Sequence, residues 1–345
     1  MASMMRSRLL ALRKGLFGSW WDGLITVALM AILLLALRAA AQWALKDADW
    51  SVVSTNLPLY LLGSFPPEEQ WRPLSWMVTL LLLTLATALM PLWRITCPGA
   101  ISSLLAKLLP AAWILSIPAG LLLLAGGLGL APVATRSWGG LCLTLILTLM
   151  SGVLALPIGI ALAVGRWSGL PLIRGVCSLY IELMRAIPLL SVLFFGQLLI
   201  PLFLPAHLEV NRVMRAVLAL AWFAAAYVAE DVRGGLQAIP RTQQEAAEAL
   251  GLSLQQVLGL VLLPQALRIA LPSLANQAVG LLQNSTLLAM LGLVELLGIS
   301  RSLLANPLFI GRYLEVYAFL AVVYWLLCTL MSLLARSLEH HLRTA

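Results

Sequence analysis

Residues 137–165 read SWGGLCLTLILTLMSGVLALPIGIALAVG, from Ser137 to Gly165, without one charged side chain. A helix crossing a hydrocarbon core needs roughly 20 mostly apolar residues, so this stretch is long enough to span a membrane. Outward from it the pattern recurs. Similar runs occupy Leu24–Leu45 (interrupted by Arg38), Pro73–Trp93, Leu108–Thr135, Ala186–Leu208, Ala216–Ala229, Ile269–Val294 and Val316–Ala335. Ala216–Ala229 is short, and is extended through Arg212 and Arg215 at one end and Glu230 at the other. The run at Ala186 is extended back to Val176, which takes Glu182 and Arg185 into the helix. The expected fold is an all-α polytopic membrane protein with about eight transmembrane helices.

Composition agrees. Of 345 residues, 61% are hydrophobic and 10% charged, against roughly 25% charged in a soluble domain. Mean hydropathy is +0.97. The formal charge of +8 would suggest nucleic acid in a soluble protein, but in a membrane protein basic residues collect in cytoplasmic loops. With the N-terminus inside, thirteen Lys and Arg residues fall in inner segments and seven in outer ones. Both termini are therefore expected in the cytoplasm. Trp20, Trp21, Trp43, Trp71, Trp93 and Trp138 fall near span ends, as interfacial anchors do. The basic N-terminus leads into an apolar run of spanning length, so it reads as a retained signal anchor rather than a cleaved signal peptide. Lys46–Arg72 forms an external loop.

No metal or catalytic constellation is visible. Cys97, Cys142, Cys177 and Cys328 are far apart, and His207 stands away from His340 and His341; small core residues fit the cysteines better than disulfides or metal ligands. HExxH and GxSxG are missing from the sequence. Neither a catalytic residue nor a cofactor is expected, and a membrane-embedded enzyme is a remote reading. A Walker A loop needs Gly-Lys, whereas Lys14, Lys46 and Lys107 follow Arg13, Leu45 and Ala106. Energy must come from a partner or an ion gradient.

The longest polar stretch beyond the N-terminal loops, Glu230–Ser253, is expected on the cytoplasmic side. Its centre, Glu245-Ala246-Ala247-Glu248-Ala249-Leu250-Gly251, holds good helix formers followed by a glycine suited to a C′ position. Ser253 with Gln256 then forms a capping box, opening a second helix over Leu254–Leu263 that meets Pro264. This predicts an ordered helix–turn–helix element whose small alanines admit close approach by another protein. A solvated loop with helical tendency is the alternative.

The stretch at about residues 240–264 resembles the cytoplasmic EAA coupling loop of ABC-importer permease subunits. Ala225-Tyr227-Val228-Ala229-Glu230, Arg233-Gly234-Gly235, Gln243, Glu245 and Leu263-Pro264-Gln265-Ala266-Leu267-Arg268 are similar to the polar amino acid subgroup of those permeases. Trp138-Gly139-Gly140-Leu141 with Thr144-Leu145 resembles its opening, and Tyr180-Ile181-Glu182, Arg185 and Pro188-Leu189 its second core helix. At the N-terminal end, Arg13-Lys14-Gly15-Leu16-Phe17, Ser19-Trp20 and Glu69–Arg72 look like the M-type permease of general L-amino-acid transporters. There are two departures. Thr242 replaces a usual glycine, and Gln283-Asn284-Ser285-Thr286 stands where the subgroup has Lys-Asp-Thr-Ser. That neutral pair leans towards neutral or broad substrates.

The resemblance implies a type-1 ABC permease core of five helices over residues 138–336. A three-helix extension over 1–137 precedes it and a cytoplasmic tail over 337–345 follows. It also implies an inner-membrane location in a bacterium, with two ABC ATPase subunits, a second permease subunit and an external solute-binding protein as partners. Glu245, Ala246, Ala247, Glu248, Gly251 and Pro264 would couple to the ATPases. Candidates for the substrate path are Glu182, Arg185, Gln197, Asn276, Gln277, Gln283, Asn284, Ser285 and Thr286, because polar groups at membrane depth are functional candidates. Interhelical packing is the alternative for each. Glu182 and Arg185, at i and i+3, share a face and could pair. Pro272 is expected to break its helix, as transport sites often do. Glu230, Asp231 and Arg233 form a gate or a brace at the inner end, or a solvated helix end. The competing function is an ion-coupled secondary transporter of small polar solutes; such proteins usually carry paired repeats and buried acids, whereas here the three-helix extension and five-helix core are unequal and acids at depth are nearly confined to Glu182.

Overall fold

The structure, a computed structural model, describes residues 15–90, 100–203, 205 and 210–344. Arg13, Lys14, Cys97 and His207 lie outside them. Among the described residues there is no named strand, only two isolated bridges. Seven helices among the described residues are long and apolar enough to cross a membrane, or up to eight when a bent pair counts as one span. The chain divides into two units, Met1–Ser51 and Val52–Ala345.

The first unit is built on α1 (Trp20–Gln42), which has no buried residue. It is apolar on every face, the composition expected of a helix in contact with lipid. Trp20 and Trp21 stack with ring centroids 3.7 Å apart. A π-helical turn, Trp43–Asp47, ends it, and the Trp50 indole donates to the Ala44 carbonyl at 2.8 Å.

In the second unit α2 (Leu57–Leu62) precedes a hairpin of α3 (Trp71–Ala88) and α4 (Ala100–Ala125). Indole donors tie the hairpin together: Trp76 reaches the Ser116 carbonyl at 2.9 Å and Trp113 reaches Thr87 Oγ1 at 3.1 Å. The fully buried Arg72 donates to the Ala131 carbonyl at 2.7 Å and pairs with Glu69.

The centre is formed by α5 (Gly140–Trp167) and α8 (Arg212–Gln237). Ala216, Ala219, Ala221, Ala224, Ala225 and Ala229 are all buried on α8. Such small residues let helices approach closely where lipid gives no hydrophobic drive to associate. Ser151 adds an interhelical hydrogen bond to the Val217 carbonyl at 3.2 Å. Around this pair lies a core that includes Trp76, Leu124, Leu143, Leu147, Leu193 and Leu220.

Between them the segment around Val176 is not one straight helix. It folds as α6 (Pro171–Ala186) and α7 (Leu189–Phe194), which runs on to Phe203, with a bend of 106° between the two segments. Proline disfavours a helical residue before it and has no N–H to give; Ile187 is extended and Pro188 caps the next helix. After α8 come α9 (Arg241–Ala249), a long span over Leu254–Leu291 that contains α10 (Leu263–Asn284), then α11 (Leu296–Leu304) and α12 (Tyr313–Thr344).

The long span corrects two expectations. Pro272 lies inside a continuous α10 rather than at a break. The irregular turns flank it instead: a π-helical stretch at Val257–Leu262 and a 3₁₀ stretch at Ser285–Leu291. Pro264 likewise does not end a helix, because the π turn before it takes up the backbone register that a proline disturbs.

Candidate functional site

The polar loop is rigid for reasons its sequence supplies. α9 ends at Leu250 with Gly251 at φ +81°. The Leu252 N–H donates to the Ala247 carbonyl at 3.2 Å, and the Gly251 N–H to the Glu248 carbonyl at 2.9 Å. This pair of bonds defines a Schellman end, which favours glycine at its left-handed position. Two residues on, Gln256 Oε1 accepts from the Ser253 N–H at 2.9 Å and from its hydroxyl at 3.0 Å. Beneath the loop, Ala247 is buried with Ile239, Val257, Leu262 and Ala266. Glu245, Ala246 and Glu248 remain exposed on the other side. Ala247 thus seats the helix on its own chain, while Ala246 and the two glutamates face away. Gly235 lets α8 reach the base of the loop: a Cβ there would lie 2.3 Å from the Ala266 carbonyl oxygen.

At the same end of the bundle, one carboxylate gathers three guanidinium groups from three helices. Glu230 on α8 accepts from Arg233 Nε at 3.0 Å and from Arg166 on α5 at 3.5 Å, and forms an ion pair with Arg185 on α6 at 3.3 Å. Glu182 takes the other arm of Arg166 at 3.2 Å. Glu182 and Arg185 each find a partner on a different helix, not each other. Arg185 also lies 5.7 Å from the Tyr227 ring centroid, and the Tyr180 hydroxyl donates to the Trp222 carbonyl at 2.8 Å. The Asp231 carboxyl faces Gln277 on α10, and its Oδ2 is buried without a hydrogen-bond partner.

The polar residues of the long span form a face. Ser273, Asn276 and Gln283 are exposed, and Gln277 and Asn284 half-buried beside them. At 100° per residue they cover about a third of the circumference of α10, while Ala270, Leu281 and Leu282 are buried on the rest. The face is long: Ser273 and Asn284 stand roughly 16 Å apart at 1.5 Å per residue. Gln277 meets Asp231 at one end, and Ser285 and Thr286 turn their hydroxyls back to the Leu282 and Gln283 carbonyls at 2.7 Å. Gln197 belongs elsewhere: it is buried and donates to the Arg212 carbonyl at 2.8 Å, and Arg212 in turn reaches the Leu291 carbonyl at 3.0 Å.

Two residues escaped the sequence reading. Arg166 follows directly on an apolar run and reads in the sequence as one of the thirteen inner-segment charges, yet it joins both Glu182 and Glu230. Glu295 is fully buried in the connection between two spans. Its carboxylate accepts from the Leu297 and Gly298 N–H groups at 2.8 and 2.9 Å, and from the Tyr324 hydroxyl at 3.3 Å. Burial pushes this carboxyl up to about 7, and the backbone donors pull against that rise. A lone acid inside Leu291–Gly298 was the available signal.

A family model described as "Binding-protein-dependent transport system inner membrane component" matches residues 155–344. The chain belongs to this family. As a member it is 34% identical over 356 residues to the inner membrane amino-acid ABC transporter permease protein YhdY of Escherichia coli (strain K12), covering 96% of this chain and 92% of that one. It is 39% identical over 217 residues to the glutamate/glutamine/aspartate/asparagine transport system permease protein BztC of Rhodobacter capsulatus, covering 63% of this chain and 50% of that relative. Among solved structures, the crystal structure of an amino acid ABC transporter with histidines matches with a TM-score of 0.53 at 30% identity, over 59% of this chain and 92% of that one. The architecture is that of a type-1 ABC permease.

Proposed function

We propose that this chain is the membrane-spanning permease subunit of an ATP-driven amino acid importer in a bacterial inner membrane. It works with a second permease chain, two ABC ATPase subunits and an external solute-binding protein. The observation that carries this reading is the exposed polar face of α10, Ser273 to Asn284, on a helix long enough to cross a membrane. Lipid does not tolerate such a face, so it lines a path completed by a second subunit. The names of the relatives support amino acids as the cargo. The neutral Gln283-Asn284 pair favours neutral or broad substrates.

The geometry supports the following assignment of working parts. With both termini in the cytoplasm, α9 projects Glu245, Ala246 and Glu248 towards an ATPase, while Ala247, Gly251 and Pro264 hold it in register. The span beyond Pro264 is continuous with α10, so a push on the loop is delivered to the path. Glu230, with Arg166, Arg185 and Arg233, fastens α5, α6 and α8 at the inner end as a gate, and Asp231 links that end to α10 through Gln277. The subunit carries no chemistry of its own; hydrolysis belongs to the ATPases. Mild detergent purification of the tagged chain from its native membrane tests this reading. A stoichiometric ATPase and a second permease, with hydrolysis stimulated by amino acid and binding protein, are expected. A lone chain driving uptake by an ion gradient would overturn it.

A further inference from the structure

Beside α9 lies a cavity of about 440 Å³ that the transport reading leaves without a role. Arg166, Arg233 and Arg241 line it together with Gln237 and Gln244, and none of its lining residues is acidic. Glu230 and Glu182 answer Arg166 and Arg233 from behind, whereas Arg241 is exposed. The first turn of α9, which opens on the same space, has no side-chain cap and no acid. Its free N–H groups therefore add positive potential to that of the guanidinium groups. Trp167, Leu236 and Leu262 supply an apolar wall. The cavity thus combines cationic and hydrogen-bonding groups with apolar ones, and it lies where two spanning helices, α5 and α8, end.

We infer that this cavity binds the phosphodiester headgroup of an anionic glycerophospholipid, with the glycerol and upper acyl chains along Trp167 and Leu262. The inference rests on the reading that this end of the bundle faces the cytoplasm. A phosphate there sits at headgroup level, where basic pockets between helices take anionic lipids. Arginine suits the task because its planar fork makes paired hydrogen bonds to phosphate oxygens. Arg241 and Gln244 belong to α9, so the lipid braces the loop against the ends of α5 and α8.

The test is native mass spectrometry of the purified complex released from vesicles of phosphatidylcholine with phosphatidylglycerol, and from vesicles of phosphatidylcholine alone. Wild type is expected to retain phosphatidylglycerol in preference to phosphatidylcholine, one molecule per copy of this chain. Arg241→Glu should lower that retention roughly tenfold. Arg241→Lys keeps the charge and should retain most of it, and Arg301→Glu, far along the chain from the cavity, should change nothing. Size-exclusion profiles identical to wild type show that Arg241→Glu is folded; if it is not, the neutral Arg241→Gln takes its place with the same expected direction. Equal retention by wild type and the folded variant would overturn the proposal. So would a rise in melting temperature with inorganic phosphate in phosphatidylcholine vesicles, seen in wild type and lost in the variant, because it would assign the cavity to a soluble anion. Lipid is counted on this chain whether or not an ATPase co-purifies, so this result is independent of the transporter assignment.

Discussion

Arg185 and Glu230 meet at 3.3 Å from α6 and α8, and the same carboxylate faces Arg166 on α5 at 3.5 Å. A single side chain therefore fastens three helices at one end of the bundle. In Glu230→Gln three guanidinium groups lose their common counter-charge. Hydrogen bonds to charged groups are worth roughly 1.5–3 kcal/mol, so the melting temperature of the purified complex should fall. ATP hydrolysis without binding protein should rise as the inner end loosens. If neither quantity moves, these residues are only a solvated helix end.

Gly251→Val should leave insertion and assembly intact while abolishing uptake. A left-handed backbone costs a residue with a Cβ roughly 1–2 kcal/mol, and the chain at φ +81° would relax by misaligning α9. Gly251→Asn should be intermediate, since asparagine tolerates that conformation. Radiolabelled amino acid uptake, normalised to chain in the membrane, reads the difference.

Neighbouring glycines should behave oppositely. Gly235→Ala drives a methyl to within 2.3 Å of the Ala266 carbonyl oxygen, whereas a methyl at Gly234 meets nothing within 4 Å. The first variant should lower thermal stability and weaken coupling of hydrolysis to uptake. Gly234→Ala should be neutral or raise stability by up to about 1 kcal/mol through helix propensity. Melting curves of the two variants side by side decide the point.

Asn276→Leu should block uptake with little change in melting temperature, because Asn276 is exposed on the polar face. Gln197→Leu should show the reverse emphasis, losing stability first, since it removes the donor that the Arg212 carbonyl uses at 2.8 Å. Equal effects of the two on both readouts would remove the distinction between path and packing.

Glu295 makes stability depend on pH. Its folded carboxyl titrates near 7, above the ordinary glutamate range, so the folded state holds a proton that the unfolded state releases. Stability should therefore fall as pH rises from the ordinary glutamate range through about 7. Glu295→Gln should flatten that dependence, at a cost of roughly 0.5–2 kcal/mol for the altered cap of α11. Melting temperatures of both proteins across this window measure it.

The sequence made the spans legible because lipid demands long apolar runs, and it made the loop legible because Gly251, Ser253 and Gln256 mark helix ends through local geometry. Partners across helices were not legible. Spacing paired Glu182 with Arg185, while packing gave Glu182 to Arg166 and Arg185 to Glu230. Pro272 and Pro264 misled in the same way: a proline signals a missing N–H, but where the backbone absorbs the loss depends on the neighbouring helices. Glu295 is not marked in the sequence because one acid in an apolar segment carries no periodicity, and the Tyr324 hydroxyl that it accepts from comes from a helix 29 residues further on.

The bend of 106° between α6 and α7 bears on how the protein is made. Neither arm matches the roughly 20 apolar residues that a translocon releases sideways into lipid, and α6 carries Glu182 and Arg185. The partners of those charges, Arg166 and Glu230, lie on helices that precede and follow it. The expected consequence is that α6 settles only after α8 has been synthesised. A lesion in α8 should then expose α6 to membrane quality-control proteases before transport is ever attempted.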